Sequence, residues 1–428
     1  MIVNKVTPRI LMLSWEYPPH IEGGLGRHVA ELAPALARQG IDVHVVTPVG
    51  EPTVAQLRGQ TVDEFQNGLV QGIPGEATVV NEDGVIVHRV FTHHKNTPTD
   101  IYSRVTEVNR VLESYVSRVR QQYGPCGLIH NHDWLTAFAG IAIKQKWNCT
   151  LVSTIHATER GRARGHLTQK LQYDIDQVER DLIRQSDKVI VCSRHMCREL
   201  QTFFQTPVEK MAVVPNGVDV AALQAVPDNG LEEFRARFAA PDDKLVFSIA
   251  RLVFEKGMHR LVDAAPQVLP KCPNTKIVIA GKGPEAERLK EQANYLGVAD
   301  HVSFIGFVSD EERDQLFKVA DCAVFPSLYE PFGIVALEAM ALGCPVVVSD
   351  VGGFSEVVTH NFTGTTVFPD NPESIAWGII HTLSNPAGTQ NHVENAKKWV
   401  AENFTWNRVA QLTGDVYQTV IGATLKST

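Results

Sequence analysis

The stretch "LYEPFGIVALEAMALGCPVVVSD" (328–350) carries two glutamates eight positions apart: Glu330 precedes an apolar run and Glu338 sits inside it. The pattern predicts a strand in "DCAVFPS", a loop holding Glu330, and a helix over "FGIVALEAMALG" ended by Gly343. The amides of Gly333, Ile334 and Val335 are then first-turn donors without an intrahelical acceptor, a ready seat for an anion. A carboxylate, an anion-binding turn and a second carboxylate fit one ligand with hydroxyls at both ends and phosphate in the middle, a nucleoside diphosphate sugar. Glutamate pairs are mostly solvated surface, but Glu338 lies in an apolar context, where burial without a partner is costly.

Cations of a suitable kind occur earlier. Arg251 ends the strand-like run "KLVFSIAR" and Lys256 follows five residues later, before a helix. An arginine fork and a mobile lysine charge at that place can reach a diphosphate, the alternative being two solvated surface cations. In the first half, "SWEYPPHIEGGLGRHVAEL" puts Gly23, Gly24 and Gly26 just ahead of a helix, where bare backbone and free N–H groups suit a phosphate. An ordinary flexible cap is the alternative there. The spacing is G-G-x-G, and the next strand ends "VVTPVG" with no acid for a ribose, which argues against a nicotinamide dehydrogenase.

"HNHDW" sets His130, His132 and Asp133 at a strand's carboxyl end. Two histidines could begin a metal site, but no further clustered ligand is evident, and a core or capping histidine is the competing reading. "STIHATERGRARGH" reads as a basic loop with His156, Arg160, Arg162 and Arg164, either solvated or facing an acceptor. The one D-x-D, Asp174-Ile175-Asp176, lies in a helical run and reads as a solvated helix face.

These residues need elements to position them. Apolar runs alternate with helical periodicity along the chain: "RILMLSW", "IDVHVVTP", "GVIVHRV", "GLIHNH", "TLVSTIH" and "KVIVCS" in the first half, then "KLVFSIAR", "TKIVIAG", "HVSFIGFV", "DCAVFPS" and "CPVVVSD". Strands apolar on both faces belong in parallel sheets covered by helices. The expectation is α/β, with two doubly wound Rossmann-like domains whose ligands sit beyond the carboxyl ends of the strands, by default in the interdomain cleft. The Pro-, Gly- and Asn-rich stretch 213–230 marks the boundary. This gives one domain over 1–220, a second over 221–404, and a C-terminal helix over 405–428 expected to pack back toward the first.

The 428 residues allow domains of this size, and 44 % apolar with 21 % charged residues is ordinary for a globular chain. A net charge of −8 does not favour a nucleic-acid or anionic-membrane surface. No signal-peptide pattern or membrane span is read, and seven scattered cysteines suggest buried thiols in a reducing compartment, so a cytoplasmic location is expected.

Together the motifs resemble the E-x7-E signature of retaining GT-B glycosyltransferases, glycosyltransferase family 4, which is similar to glycogen and sucrose-phosphate synthases. "GGLGRHV", "HNHDW", "PNGVD", Arg251 with Lys256, "GKGPE", "FIGFV" and "SDVGGFSEVV" agree with it in order along almost the whole chain. "HATERGR" looks like a segment of some glycogen-synthase-like enzymes. The resemblance implies that Glu338 holds the ribose hydroxyls, Glu330 contacts the donor sugar, and Arg251 and Lys256 bind the diphosphate. It places Gly23 and Gly24 near the β-phosphate, His132 near the sugar and reacting centre, and Phe307 and Val308 at the base. Phe332, Gly333, Ile334 and Val335 complete the donor set, while His156, Arg160 and Arg162 lie on the acceptor side.

The implied reaction is transfer of a hexose, glucose first, from a nucleotide sugar to a saccharide or other hydroxyl with retention, needing no metal or other cofactor. UDP-glucose is the first expected donor and ADP-glucose the second. A nucleotide-sugar epimerase on the same fold and a catalytically silent nucleotide-sugar binder are the alternatives. Loops 51–84 and 157–170 are expected to choose the acceptor.

Overall fold

Among the described residues fourteen strands form two separate sheets, each built largely from the continuous apolar runs. A computed structural model describes residues 9–50, 74–92 and 100–427, with side chains to 422. The described chain forms two compact units. One holds the residues up to Cys192, Met196–Pro215 and the stretch from Trp406; the other holds Ser193–His195 and Asn216–Thr405.

In the first unit the strands are β1 (Ile10–Leu13), β2 (Val43–Val49), β3 (Ala77–Glu82), β4 (Val85–Phe91), β5 (Leu128–His132), β6 (Thr150–Ile155), β7 (Lys188–Val191) and β8 (Met211–Val213). Their order is β3-β4-β2-β1-β5-β6-β7-β8, parallel throughout except for β3, which pairs antiparallel with β4. The order reverses between β1 and β5, so the carboxyl ends of those strands define a switch point. β1 and β5 are buried at every position. The helix Gly24–Arg38 buries Val29, Leu32 and Leu36 in the same core as Trp406, Val409 and Tyr417 of the C-terminal helix Trp406–Ser427.

The second unit contains β9 (Lys244–Ile249), β10 (Thr275–Ala280), β11 (Val302–Gly306), β12 (Cys322–Phe325), β13 (Val346–Ser349) and β14 (Thr365–Val367). All pair in parallel in the order β11-β10-β9-β12-β13-β14, with the switch point between β9 and β12. Its core joins Val246, Ile277 and Val324 of the sheet to Leu261, Val262 and Ile379 of covering helices. The expected pair of doubly wound sheets is therefore present.

Three strands escape the sequence reading: β3, β8 and β14. β3 is a half-exposed hairpin arm, and the other two are three residues long. Residues 77–84 of the expected acceptor loop are thus a hairpin, and 51–73 lie outside the described residues. Among the described residues no helix is long and apolar enough to cross a membrane. Cys192, Cys322 and Cys344 are buried, and the remaining four thiols are partly exposed.

Candidate active site

In the second unit the switch point gathers Lys256, Glu330 and Glu338. A short turn, Phe254–Lys256, follows β9, and the Glu255 carbonyl accepts the amides of Leu328 (2.8 Å) and Tyr329 (3.3 Å). This ties the lysine turn to the loop after β12. Lys256 Nζ stands 2.7 Å from Glu330 Oε2, and Ser327 Oγ donates to the same oxygen at 3.3 Å. Arg251 is exposed, with no ion pair among the described residues.

Glu330 is held from behind as well. Its carbonyl accepts the amide of Gly353 at 2.8 Å, and a Cβ at Gly352 (φ +60°) would stand 2.0 Å from that carbonyl oxygen. The "DVGGF" segment therefore needs glycine to pack against the Glu330 backbone. The helix Ile334–Leu342 starts after Gly333 and stops at Gly343, as read from the sequence. Gly333 caps it at φ +103°, where a side chain would strike the Phe354 ring at 2.3 Å. The amides of Gly333, Ile334 and Val335 have no acceptor among the described residues, which leaves an anion seat at the helix start.

Glu338 is 8 % exposed and has a partner that sequence reading missed: Arg313 Nη1, 3.4 Å from its Oε1. Arg313 is itself buried and also pairs with Asp310 and Asp314. The available signal was a lone cation within the acidic run "SDEERDQLF". Phe332 is buried against Phe404, while Phe307 is 72 % exposed at the end of β11 with Lys282 Nζ over its ring at 5.6 Å; Val308 beside it is half-buried.

In the first unit Gly23 caps the helix Gly24–Arg38, but its amide is taken. Glu16 Oε2 accepts the N–H groups of Glu22 (3.0 Å) and Gly23 (3.1 Å). The amides of Gly24, Leu25 and Gly26 have no acceptor among the described residues. Free donors at this helix start thus begin one residue later than the sequence reading had them.

At the carboxyl ends of β5 and β6 lies a histidine cluster. His132 Nδ1 and His156 Nε2 share a hydrogen bond of 3.1 Å. His28, one turn into its helix, stands edge-on to His156 with ring centres 4.7 Å apart. His130 stacks beside His132 at 4.3 Å, and both its nitrogens are engaged, by Tyr417 Oη (2.6 Å) and Thr154 Oγ1 (2.7 Å). His132 Nε2 is buried with no partner among the described residues. The sequence reading found no further clustered ligand near His130 and His132. Folding supplies two, because His28 and His156 come from separate segments.

Burial lowers the His132 imidazole well below its ordinary range, helped by the neighbouring histidines, and lowers His156 to about 3. Asp133 is buried at φ +53°, a conformation uncommon for a residue with a side chain, and burial pushes its carboxyl up to about 6. Its Oδ1 accepts the His156 amide at 2.7 Å, which fixes where β6 delivers that histidine.

The expected basic loop after His156 is a short helix, Glu159–Arg162. Arg160 makes a two-pronged bridge to Asp176, at 2.8 and 3.0 Å. Asp176 is 5 % exposed, which corrects the reading of Asp174-Ile175-Asp176 as a solvated face; Asp174 pairs with Lys170. Arg162 is half-buried, 3.7 Å from Glu159. Glu179 accepts the Glu159 amide with both oxygens and Glu199 accepts the Thr158 hydroxyl, so three carboxylates hold this segment.

Comparison with known proteins agrees with the two-sheet architecture. Residues 22–222 match the family described as Glycosyltransferase Family 4, and residues 231–399 match Glycosyl transferases group 1. A glycosyltransferase of Methanocaldococcus jannaschii, itself uncharacterized, is 36 % identical over 420 residues, covering 96 % of this chain and 98 % of that one. The glycogen synthase of Mycobacterium tuberculosis is 34 % identical over 412 residues, covering 96 % and 94 %. Among solved structures, sucrose-phosphate synthase from Thermosynechococcus elongatus superposes with a TM-score of 0.78 at 23 % identity, covering 97 % of this chain and 100 % of that one. The catalytic domain of Arabidopsis thaliana starch synthase IV, bound to ADP and acarbose, gives 0.74 at 17 %, covering 97 % of this chain and 99 % of that one. The sequence-wide identity to these relatives, carried on two sheets of the GT-B kind, shows that the chain belongs to glycosyltransferase family 4.

Proposed function

We propose that this glycosyltransferase moves a hexosyl group, glucose first, from a nucleotide diphosphate sugar to a saccharide hydroxyl, with retention and without a metal. UDP-glucose is the first donor and ADP-glucose the second. The observation that carries the reading is the Lys256–Glu330 pair at a sheet switch point, next to the unfilled amides of the helix that bears Glu338. The likeness to a glycogen synthase supports a saccharide acceptor, and two structures of the same fold, the starch synthase bound to ADP and Anabaena HepE in complex with UDP and glucose (TM-score 0.71, 20 % identity), support the two donors.

In this reading the second unit binds the donor. Glu338, oriented by Arg313, accepts the ribose hydroxyls, and the exposed Phe307 ring with Val308 meets the base. The helix-start amides, Arg251 and Lys256 face the diphosphate, and Glu330 with Phe332 lines the sugar. When the anomeric bond breaks, negative charge grows on the departing diphosphate, and preorganised cations and N–H groups stabilise that charge. They perform the leaving-group role that a divalent ion has elsewhere.

In the first unit His132 is assigned to the reacting centre, and the amides from Gly24 onward to the phosphate. His156, Arg160 and Arg162 stand on the acceptor side, with Arg160 serving through its bridge to Asp176 to hold that segment. The test is transfer from a panel of nucleotide sugars to oligosaccharides, scored by product mass and nucleotide release. Acceptor-dependent transfer from UDP- or ADP-glucose supports the reading; no transfer from any donor contradicts it.

A further inference from the structure

His28, His132 and His156 each offer one imidazole nitrogen, and the three nitrogens lie within 4.8 Å of one another. They arrive from three places in the chain: one turn into a helix, the last residue of β5, and the residue after β6. Two nitrogen ligands on a tetrahedral zinc-class ion, with bonds of about 2.1 Å, stand about 3.4 Å apart. The His132–His156 contact of 3.1 Å is already near that spacing. The third nitrogen needs an inward shift of roughly 1 to 1.5 Å to reach the same edge.

The surroundings suit a fixed ligand set. Two of the rings sit at strand ends, and Asp133 anchors the His156 backbone. His130 braces the His132 ring but is committed at both nitrogens to Tyr417 and Thr154, so it stays outside the three-histidine set. An all-imidazole set favours zinc, cobalt, nickel or copper; magnesium and calcium require oxygen ligands.

We propose that His28, His132 and His156 form a binding site for a zinc-class divalent ion, and that its occupancy stops sugar transfer by engaging His132. The second clause rests on the role given to His132 under the proposed function. The site is thus an inhibitory one, distinct from any metal requirement for the reaction.

The test uses the full-length protein, stripped with EDTA and dialysed, titrated with Co²⁺. The expected result is one Co²⁺ per chain with the visible absorption of tetrahedral nitrogen-ligated cobalt, removed by one equivalent of Zn²⁺. His28→Phe keeps a ring in the aromatic packing and removes a ligand; His28→Gln and His156→Gln serve if it does not fold, with circular dichroism as the check. Each folded variant should bind Co²⁺ at least roughly tenfold more weakly. In the transfer assay, Zn²⁺ should inhibit the wild type with the midpoint seen in cobalt displacement, and that midpoint should rise by the same factor in His28→Phe.

Absence of the cobalt absorption, or absorption unchanged in a folded His28 variant, overturns the site. Full transfer at saturating Zn²⁺ overturns the inhibition. If no donor supports transfer at all, the proposed function fails, while the cobalt spectra still decide whether the three histidines bind metal.

Discussion

Lys256 Nζ and Glu330 Oε2 stand 2.7 Å apart, joining residues 74 positions apart in the chain into one ion pair. Their side chains are 23 % and 10 % exposed, so neither is well solvated. Lys256→Ala should lower kcat about a hundredfold, because a charge contact to the leaving group in a dry site contributes roughly 3 kcal/mol. It should also lower unfolding stability by roughly 2 to 3 kcal/mol, since Glu330 is left buried without its partner. In Lys256→Ala/Glu330→Gln most of that stability should return while activity stays low. Urea denaturation of the wild type, Lys256→Ala and the double variant checks this, and equal stability of Lys256→Ala and the double variant contradicts it.

Arg313 and Glu338 predict a different kinetic signature. Ribose contacts are formed already in the bound donor, so they contribute mainly uniform binding. Glu338→Gln should raise the donor KM with a smaller change in kcat, and weaken free UDP or the matching nucleotide by about 1 to 2 kcal/mol. Arg313→Gln should act in the same direction, because it releases the Glu338 carboxylate. Glu330→Gln should depress kcat and leave free-nucleotide affinity nearly unchanged. Calorimetry with the free nucleotide separates the three variants; the reverse order of losses would refute this division.

Acid should destabilise the first unit. Burial, with the neighbouring His44, lowers His88 to about 4, and burial lowers His156 to about 3. Both imidazoles stay neutral in the folded chain but take a proton in the unfolded chain below about pH 6.5, so the unfolded state gains as pH falls from there toward 3 or 4. At pH 5 each costs about 2 kcal/mol relative to pH 7. Asp133, raised by burial to about 6, acts in the opposite sense: its contribution is greatest below the ordinary carboxylate range and is lost as pH rises through 6. That offsets about 1 kcal/mol at pH 5. A urea midpoint that does not fall between pH 7 and pH 5 would contradict these assignments.

The sequence showed features whose causes are local. The helix stop at Gly343, the loop position of Glu330 and the buried runs of both sheets depend on neighbours in the chain, and all are present. What it concealed depends on distant partners. The acidic D-x-D resembles any solvated helix face until Arg160 folds over Asp176. Glu16 gave no sign that it would take the Gly23 amide, and His28 reads as an ordinary helix residue until β5 and β6 bring His132 and His156 beside it.

Asp176→Asn should therefore act through structure. Weakening its bridge to Arg160, which is partly exposed, should cost roughly 1 to 2 kcal/mol and raise the acceptor KM, with donor KM unchanged. Kinetics varied separately in donor and acceptor check this. A loss of activity restored by added Mn²⁺ would instead make Asp176 a metal ligand.

Under the proposed function, transfer proceeds with retention and is driven by the protein's own cations. Its most direct test is nuclear magnetic resonance of the glycosidic product formed from UDP- or ADP-glucose and an oligosaccharide, in buffer containing EDTA. The expected product is α-linked and forms at a rate that EDTA does not reduce. A β-linked product, or transfer lost in EDTA and restored by Mg²⁺ or Mn²⁺, would contradict it.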